Sequence, residues 1–228
     1  SKYVSHIENM FTLSGIESSK QAAKTVMALE TLLASNHMKK EKTRDMVALY
    51  NKIPLAELTS IMADFNWQGY LTEAGINDID GVVITQLEYQ KALNDIIKDT
   101  GLKDWQLFLQ WGVINANSTT LSQAFDDEHF SFYSQVLRGV ETPLPDWRRG
   151  VSLVNNHLGE VVGKVYVKRH FPPAAKEKML ALVNNLIDAY EVNIKSLDWM
   201  SEETKLQALD KLSKFTPKIG YPDIWKDY

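Results

Sequence analysis

Cysteine is absent from all 228 residues. That removes disulfides, thiolate nucleophiles, Cys-ligated zinc and iron–sulfur clusters at once. It leaves the compartment open. Long apolar runs are absent too: the longest are five residues, Met46 to Tyr50 and Met179 to Val183, against the ~20 that a bilayer span needs. Strong charge of either sign is missing. The net charge of −4 and isoelectric point near 5.8 give no global basic field to attract nucleic acid. Paired histidines are missing as well. No two of His6, His37, His129, His157 and His170 lie three to five residues apart, so no helical pair can grip a metal, and His-Glu-x-x-His does not occur.

What is present is ordinary globular material. The chain is 44% hydrophobic and 24% charged, with eight Phe, nine Tyr and six Trp, which excludes disorder as the main state. Its dominant period is helical. Tyr3, Val4, Ile7, Met10 and Phe11 share one helical face. Ser18-x-x-Gln21 reads as a capping box ahead of Ala22, Val26, Leu29 and Leu33. Thr85-x-x-Glu88 reads as a second box, ahead of Tyr89, Leu93, Ile96 and Ile97, with Gly101 suited to a left-handed C-cap. Trp105, Phe108, Leu109, Gly112, Val113 and Ala116 follow the spacing of one buried face. Leu121, Phe125, Phe132, Val136 and Leu137 form another stripe, ending at Gly139. Pro172 and Pro173 suit a helix start before Met179, Leu182, Val183, Leu186, Tyr190, Ile194 and Leu197. Ser201 reads as an N-cap for Leu206, Leu209 and Leu212, and Pro217 stops that run. Only Val82 to Ile84, and less clearly Val165 to Val167, read as extended. The expectation is an all-α bundle of about ten amphipathic helices with one or two very short extended segments. No linker or repeat divides it, and the weakest seam is 139–146, with Pro143 and Pro145.

Little in this pattern carries chemistry. Surface histidine is the default reading for each of the five. Asp126-Asp127-Glu128-His129 is the densest ligand-like cluster, but consecutive helical residues point in different directions and cannot converge on one ion. Asp78-x-Asp80-Gly81 has part of a calcium-loop pattern without its first and twelfth ligands, so it reads as a polar turn before Val82. Asn117-Ser118-Thr119 fits a glycosylation sequon, a pattern common by chance. Lys39 to Lys42 and Lys164 to Arg169 are basic patches, too short and too diluted for a nucleic-acid arm. Trp105 and Trp111 fit helix packing. Trp67, Trp147, Trp199 and Trp225 sit near element ends as anchors.

The C-terminal third carries a resemblance. Gly159, Gly163, Tyr166, Val167 and Phe171 match the G-x-x-x-G-x-x-Y-V-x-x-x-F pattern of the neprilysin-like zinc metallopeptidases, which include endothelin-converting enzymes and the bacterial PepO oligopeptidases. The stretch Trp199-Met200-Ser201-Glu202-Glu203-Thr204-Lys205 resembles a second block of that family. Lys218-Ile219-Gly220-Tyr221-Pro222-Asp223, with Trp225 and Asp227-Tyr228, resembles a third. Asp146-Trp147-Arg148-Arg149 resembles the family's Trp-Arg element. Ala28-Leu29-Glu30-Thr31 and Tyr50-Asn51-Lys52 resemble an upstream segment.

The resemblance implies a parent zinc metalloendopeptidase that cleaves oligopeptides. Residues 1–228 would be a single fragment of its N-terminal helical domain, acting as lid or size filter. The family's His-Glu-x-x-His, its Glu-x-x-x-Asp and its substrate-binding residues normally follow the Ile-Gly-Tyr-Pro-Asp block. No catalytic, cofactor-binding or metal-ligating residue therefore carries over onto this chain, and zinc belongs to the parent alone. The start at Ser1, a helical pattern that begins with neither cap nor leader, reads as a chain cut from something longer. Expected partners are the catalytic domain of the same polypeptide, peptide substrates and, through an apolar face centred on Trp199 to Tyr228, a second copy. No nucleic acid and no membrane span are expected. Without Cys, a bacterial and extracytoplasmic parent is preferred to a disulfide-bonded vertebrate ectoenzyme. The alternative is an autonomous helical interaction module without peptidase activity.

Overall fold

The computed structural model describes residues 1–76 and 78–228. Among the described residues helices dominate and the one sheet has two short strands, so the chain is all-α in class. It divides into two compact units, Ser1–Pro143 and Leu144–Tyr228.

In the first unit, α1 (Lys2–Leu13) and α2 (Ser19–Ser35) form a tight antiparallel start. The start is not uncapped as expected: Ser1 caps α1, its hydroxyl accepting the Val4 amide. The link turns on Gly15, at φ +72°. Ile16 N–H bonds the Phe11 carbonyl and Gly15 N–H that of Thr12, a closure that needs a residue free to adopt the left-handed region. The Ser18 capping box does not form. Ser18 sits at φ 54° and makes no side-chain cap bond, because the short link sets its backbone.

Ile7, Met10, Phe11, Ala22, Ala23, Val26 and Trp111 make one buried cluster. Trp111 comes from α6 (Leu102–Asn117). The buried face of α6 is rotated from the one expected. Leu107 and Ile114 turn inward with Trp111, while Leu109 and Val113 are 63% and 65% exposed. Apolar residues ring this helix almost completely, so periodicity alone did not choose a face.

Between α2 and α6 lie two short helices, α3 (Met46–Leu49) and α4 (Trp67–Glu73), two 3₁₀ turns, and the strands β1 (Lys52–Pro54) and β2 (Gly81–Val83). The strands pair antiparallel, Ile53 opposite Val82. α5 (Leu87–Asp99) follows. It starts one residue past the expected box, with Gln86 as N-cap and no side-chain cap bond. The Gln86 side chain instead accepts the Met38 amide at 2.7 Å, a tertiary bond that a local rule cannot foresee. Gly101 is extended, at φ −62°, and starts α6 rather than capping α5. α7 (Gln123–His129) runs directly into a π-helical turn, Phe130–Val136.

The second unit holds α8 (Asp146–His157), α9 (Gly159–His170), α10 (Pro173–Ser196) and α11 (Glu202–Ser213), then an irregular tail. Val165 to Val167 are helical, not extended. Glu160 in the first turn and Lys168, Arg169 and His170 in the last suit the helix dipole and outweigh β-branching. Pro173 opens α10 with Pro172 at its cap, and Ser201 caps α11 by accepting the Thr204 amide. No residue of this unit is buried. The apolar stripe of α10 stays open: Met179, Leu182, Leu186 and Tyr190 are all exposed, as is Leu206 of α11.

Candidate functional site

Two of the blocks, Gly159 to Phe171 and Lys218 to Asp223 with its tail, meet in one place, where the tail crosses α9 and the start of α10. Gly163 lies under Trp225: a Cβ there would stand 3.3 Å from the indole. Gly220 adopts φ +70°, and a Cβ on it would meet the Phe171 ring at 2.7 Å. At Gly220 backbone and ring thus approach more closely than a side chain allows, whereas at Gly163 a side chain would fit only if the indole moved by a few tenths of an ångström. Tyr221 stacks on Trp225 at 5.8 Å and meets Phe171 edge-on at 6.0 Å. Lys176 of α10 donates to the Tyr221 carbonyl and to Asp223 Oδ1, both at 2.7 Å. Its ammonium also lies 4.4 Å from the centre of the Tyr221 ring. Glu160 accepts the Lys226 amide through its carboxylate, and its own amide bonds the Tyr228 hydroxyl at 3.4 Å. Lys164 sits 5.8 Å from the Trp225 ring. Together these contacts clasp the tail along α9.

Beside the clasp runs an open groove of about 620 Å³ between α10 and the segment after α11. Val183, Leu186, Tyr190, Phe215 and Ile219 line it, with Lys218 at its edge. Trp199 is 74% and Ile224 90% exposed. This surface can bury apolar partners; it holds no nucleophile or acid–base pair.

The five histidines do not assemble. His37 packs on Tyr89 at 4.1 Å, His170 on Tyr166 at 4.9 Å and His129 on Tyr133 at 4.7 Å, while His157 is exposed at the end of α8. His6 departs from the surface default: it is 1% exposed. In the Asp126 to His129 cluster, Asp127, Glu128 and His129 have separate partners. Glu128 turns to His6 and Asn9, and Asp127 accepts the Gln123 amide at 2.7 Å. Among the described residues, no group of three or more His, Asp and Glu side chains is placed to hold a metal ion. The donor set does not fit zinc. Asp80 serves the fold: its carbonyl accepts the Leu55 amide beside β2. Asn117 donates to the Val113 carbonyl at 2.8 Å and ends α6. Trp147 is exposed, with Arg148 against its ring at 5.3 Å. Sequence reading missed His6, whose signal was its place beside Ile7 on the α1 stripe, and Lys176, which carried none.

The fold and the clasp define a helical scaffold with an unpartnered apolar flank and no assembled reaction centre among the described residues. A family model described as Peptidase family M13 matches residues 1–222. The chain belongs to peptidase family M13. It is 31% identical over 206 residues to membrane metallo-endopeptidase-like 1 of Mus musculus, covering 87% of this chain and 27% of that protein. It is 29% identical to endothelin-converting enzyme 1 of Homo sapiens, covering 89% and 27%. Among solved structures, the zinc metalloprotease Zmp1 of Mycobacterium tuberculosis bound to an inhibitor superposes with a TM-score of 0.78 at 38% identity, covering 99% of this chain and 35% of that one. PepO from Lactobacillus rhamnosis, at 18% identity and a TM-score of 0.72, shares the fold. The chain therefore spans about a quarter of the length of the curated relatives it matches and about a third of these solved chains. Among the described residues, no helix is long and apolar enough to cross a membrane.

Proposed function

We propose that this chain is the N-terminal helical portion of a zinc-dependent metalloendopeptidase that cleaves oligopeptides, and that it serves there as lid and size filter. The family match over residues 1–222 carries the reading. The 38% identity to a zinc metalloprotease across 99% of the chain supports it. The zinc ligands and the general base are then supplied from outside residues 1–228. The apolar flank of α10, α11 and the tail, with Leu182, Leu186, Tyr190 and Leu206 all exposed, is the face offered to the catalytic part of the same polypeptide; in its absence the same face drives self-association. A cysteine-free chain with close bacterial relatives of solved structure supports a bacterial, extracytoplasmic parent.

The test is an assay of the intact protein on peptides of graded length and on a folded protein substrate. Chelator-sensitive cleavage of the short peptides, with the folded protein spared, is the expected result. Residues 1–228 alone, with zinc added, should cleave nothing. Cleavage by that segment that a chelator abolishes would overturn the assignment of the site to another part of the chain. A coding sequence without His-Glu-x-x-His would turn the reading toward an autonomous interaction module.

A further inference from the structure

His6 occupies a position that the peptidase reading does not use. Its ring lies within the first unit, stacked on Phe132 at 4.7 Å and edge-on to Trp111 and Tyr133 at 5.6 Å and 5.4 Å. Its Nδ1 is 2.9 Å from Glu128 Oε1. An ionised carboxylate only accepts, so Nδ1 carries the proton and neutral His6 leaves a bare lone pair on Nε2. Nε2 is buried and has no hydrogen-bond partner among the described residues. Glu128 is shared: its Oε2 accepts the Asn9 amide at 3.0 Å. One carboxylate of α7 therefore fastens two successive turns of α1.

We propose that the His6–Glu128 pair is an acid-sensitive fastening of α1 onto α7 and the π-helical turn, closed while His6 is neutral and loosened when His6 takes a second proton. The second proton has to go on Nε2, which faces aromatic rings instead of the carboxylate. A charged donor without an acceptor in such a site is strongly disfavoured. Moving α1 away, which lets Nε2–H reach water, relieves it.

The surrounding charges leave this balance in place. On α7, Glu128 opposes it by favouring imidazolium. His129 of α7 packs on Tyr133 of the π turn, and Tyr133 meets His6 only through its ring edge. Tyr3 of α1 donates a hydrogen bond to Glu30 of α2 and accepts one from the Trp111 indole, and neither the hydroxyl nor the indole pairs with Nε2. Burial outweighs Glu128 and holds His6 below the ordinary histidine range.

The test is hydrogen exchange on the intact protein, from neutral pH to about pH 5, corrected for intrinsic rates. Protection of α1 amides should fall by up to about tenfold per pH unit once His6 titrates, and should stay below that of the best-protected α2 and α6 amides, which report global unfolding. Equal protection of all three helices at every pH would mean that α1 opens only by global unfolding and would overturn the fastening, as would α1 protection that ignores pH. His6→Phe should abolish the dependence. Should that variant not fold, Glu128→Gln decides: it keeps an acceptor for Nδ1 but removes the charge favouring imidazolium, so the midpoint must move to lower pH. An unmoved or raised midpoint would overturn the proposal.

Discussion

The ring of Phe171 occupies the space that a side chain on residue 220 would need: a Cβ on Gly220 would lie 2.7 Å from Phe171 Cε1. Two residues from separate sequence blocks are thereby made complementary, one by having a ring and the other by having nothing. Gly220→Ala meets both this contact and a left-handed backbone, at φ +70°. Its expected cost is about 1–3 kcal/mol of tail docking, read as faster exchange of the amides after Gly220. Gly15→Ala shares the positive φ but meets open space, so about 1–2 kcal/mol of backbone strain is all it should cost.

Lys176 and Asp223 form an ion pair in which the two partners differ greatly. The Lys176 side chain is 14% exposed and that of Asp223 94%. Asp223→Asn should therefore cost less than about 1 kcal/mol, the usual value of an exposed pair. Lys176→Met keeps the stem but strips the donor from the Tyr221 carbonyl, and should cost about 1–3 kcal/mol. A chemical-denaturation series that ranks the two the other way would show that the carboxylate, not the carbonyl, anchors the tail.

Phe11 is fully buried among Ile7, Met10 and Trp111 and packs edge-on to Trp111 at 6.1 Å. Phe11→Ala should lower the stability of the first unit by about 3–5 kcal/mol. Leu109→Ala, on the exposed side of α6, should stay within about 0.5 kcal/mol. Thermal melts of the two variants check the face assignment directly.

Stability of the first unit should depend on pH through His6. Burial lowers its folded-state pKa, with Glu128 opposing. As pH falls below the unfolded value of about 6.5, the unfolded chain takes the proton first, so stability drops with decreasing pH. The slope is at most about 1.4 kcal/mol per pH unit, and it flattens below the lowered folded-state pKa. Above about pH 7 this group contributes no pH dependence. Melting curves across that window, with His6→Phe as the control, give the measurement.

Zinc added to residues 1–228 should leave the melting midpoint unchanged, because a ligand that binds the folded state would raise it and the histidines do not converge. An apolar dye should bind strongly, reporting the open stripe of α10 and the exposed Trp199 and Ile224. A saturable zinc-dependent rise would show a site assembled in a way the donor positions do not indicate.

Helix positions were legible in the sequence wherever apolar residues kept a single face. Tyr3 to Phe11 and Ala22 to Leu29 are such cases, since 3.6-residue spacing leaves one side to bury. The proline start of α10 and the Ser201 cap were legible too, because both act within a few residues. Family membership followed from blocks whose spacing the chain preserves.

What tertiary structure decided is of another kind. Gln86 caps nothing locally because Met38, 48 residues earlier, claims its oxygen. α6 buries Trp111 because α1 and α2 supply the matching surface, a choice its encircling apolar residues left open. His6 became a buried base only when Glu128, 122 residues away, reached it. Local spacing sets which elements can form; which polar atom finds which partner depends on contacts that close only when the chain has folded.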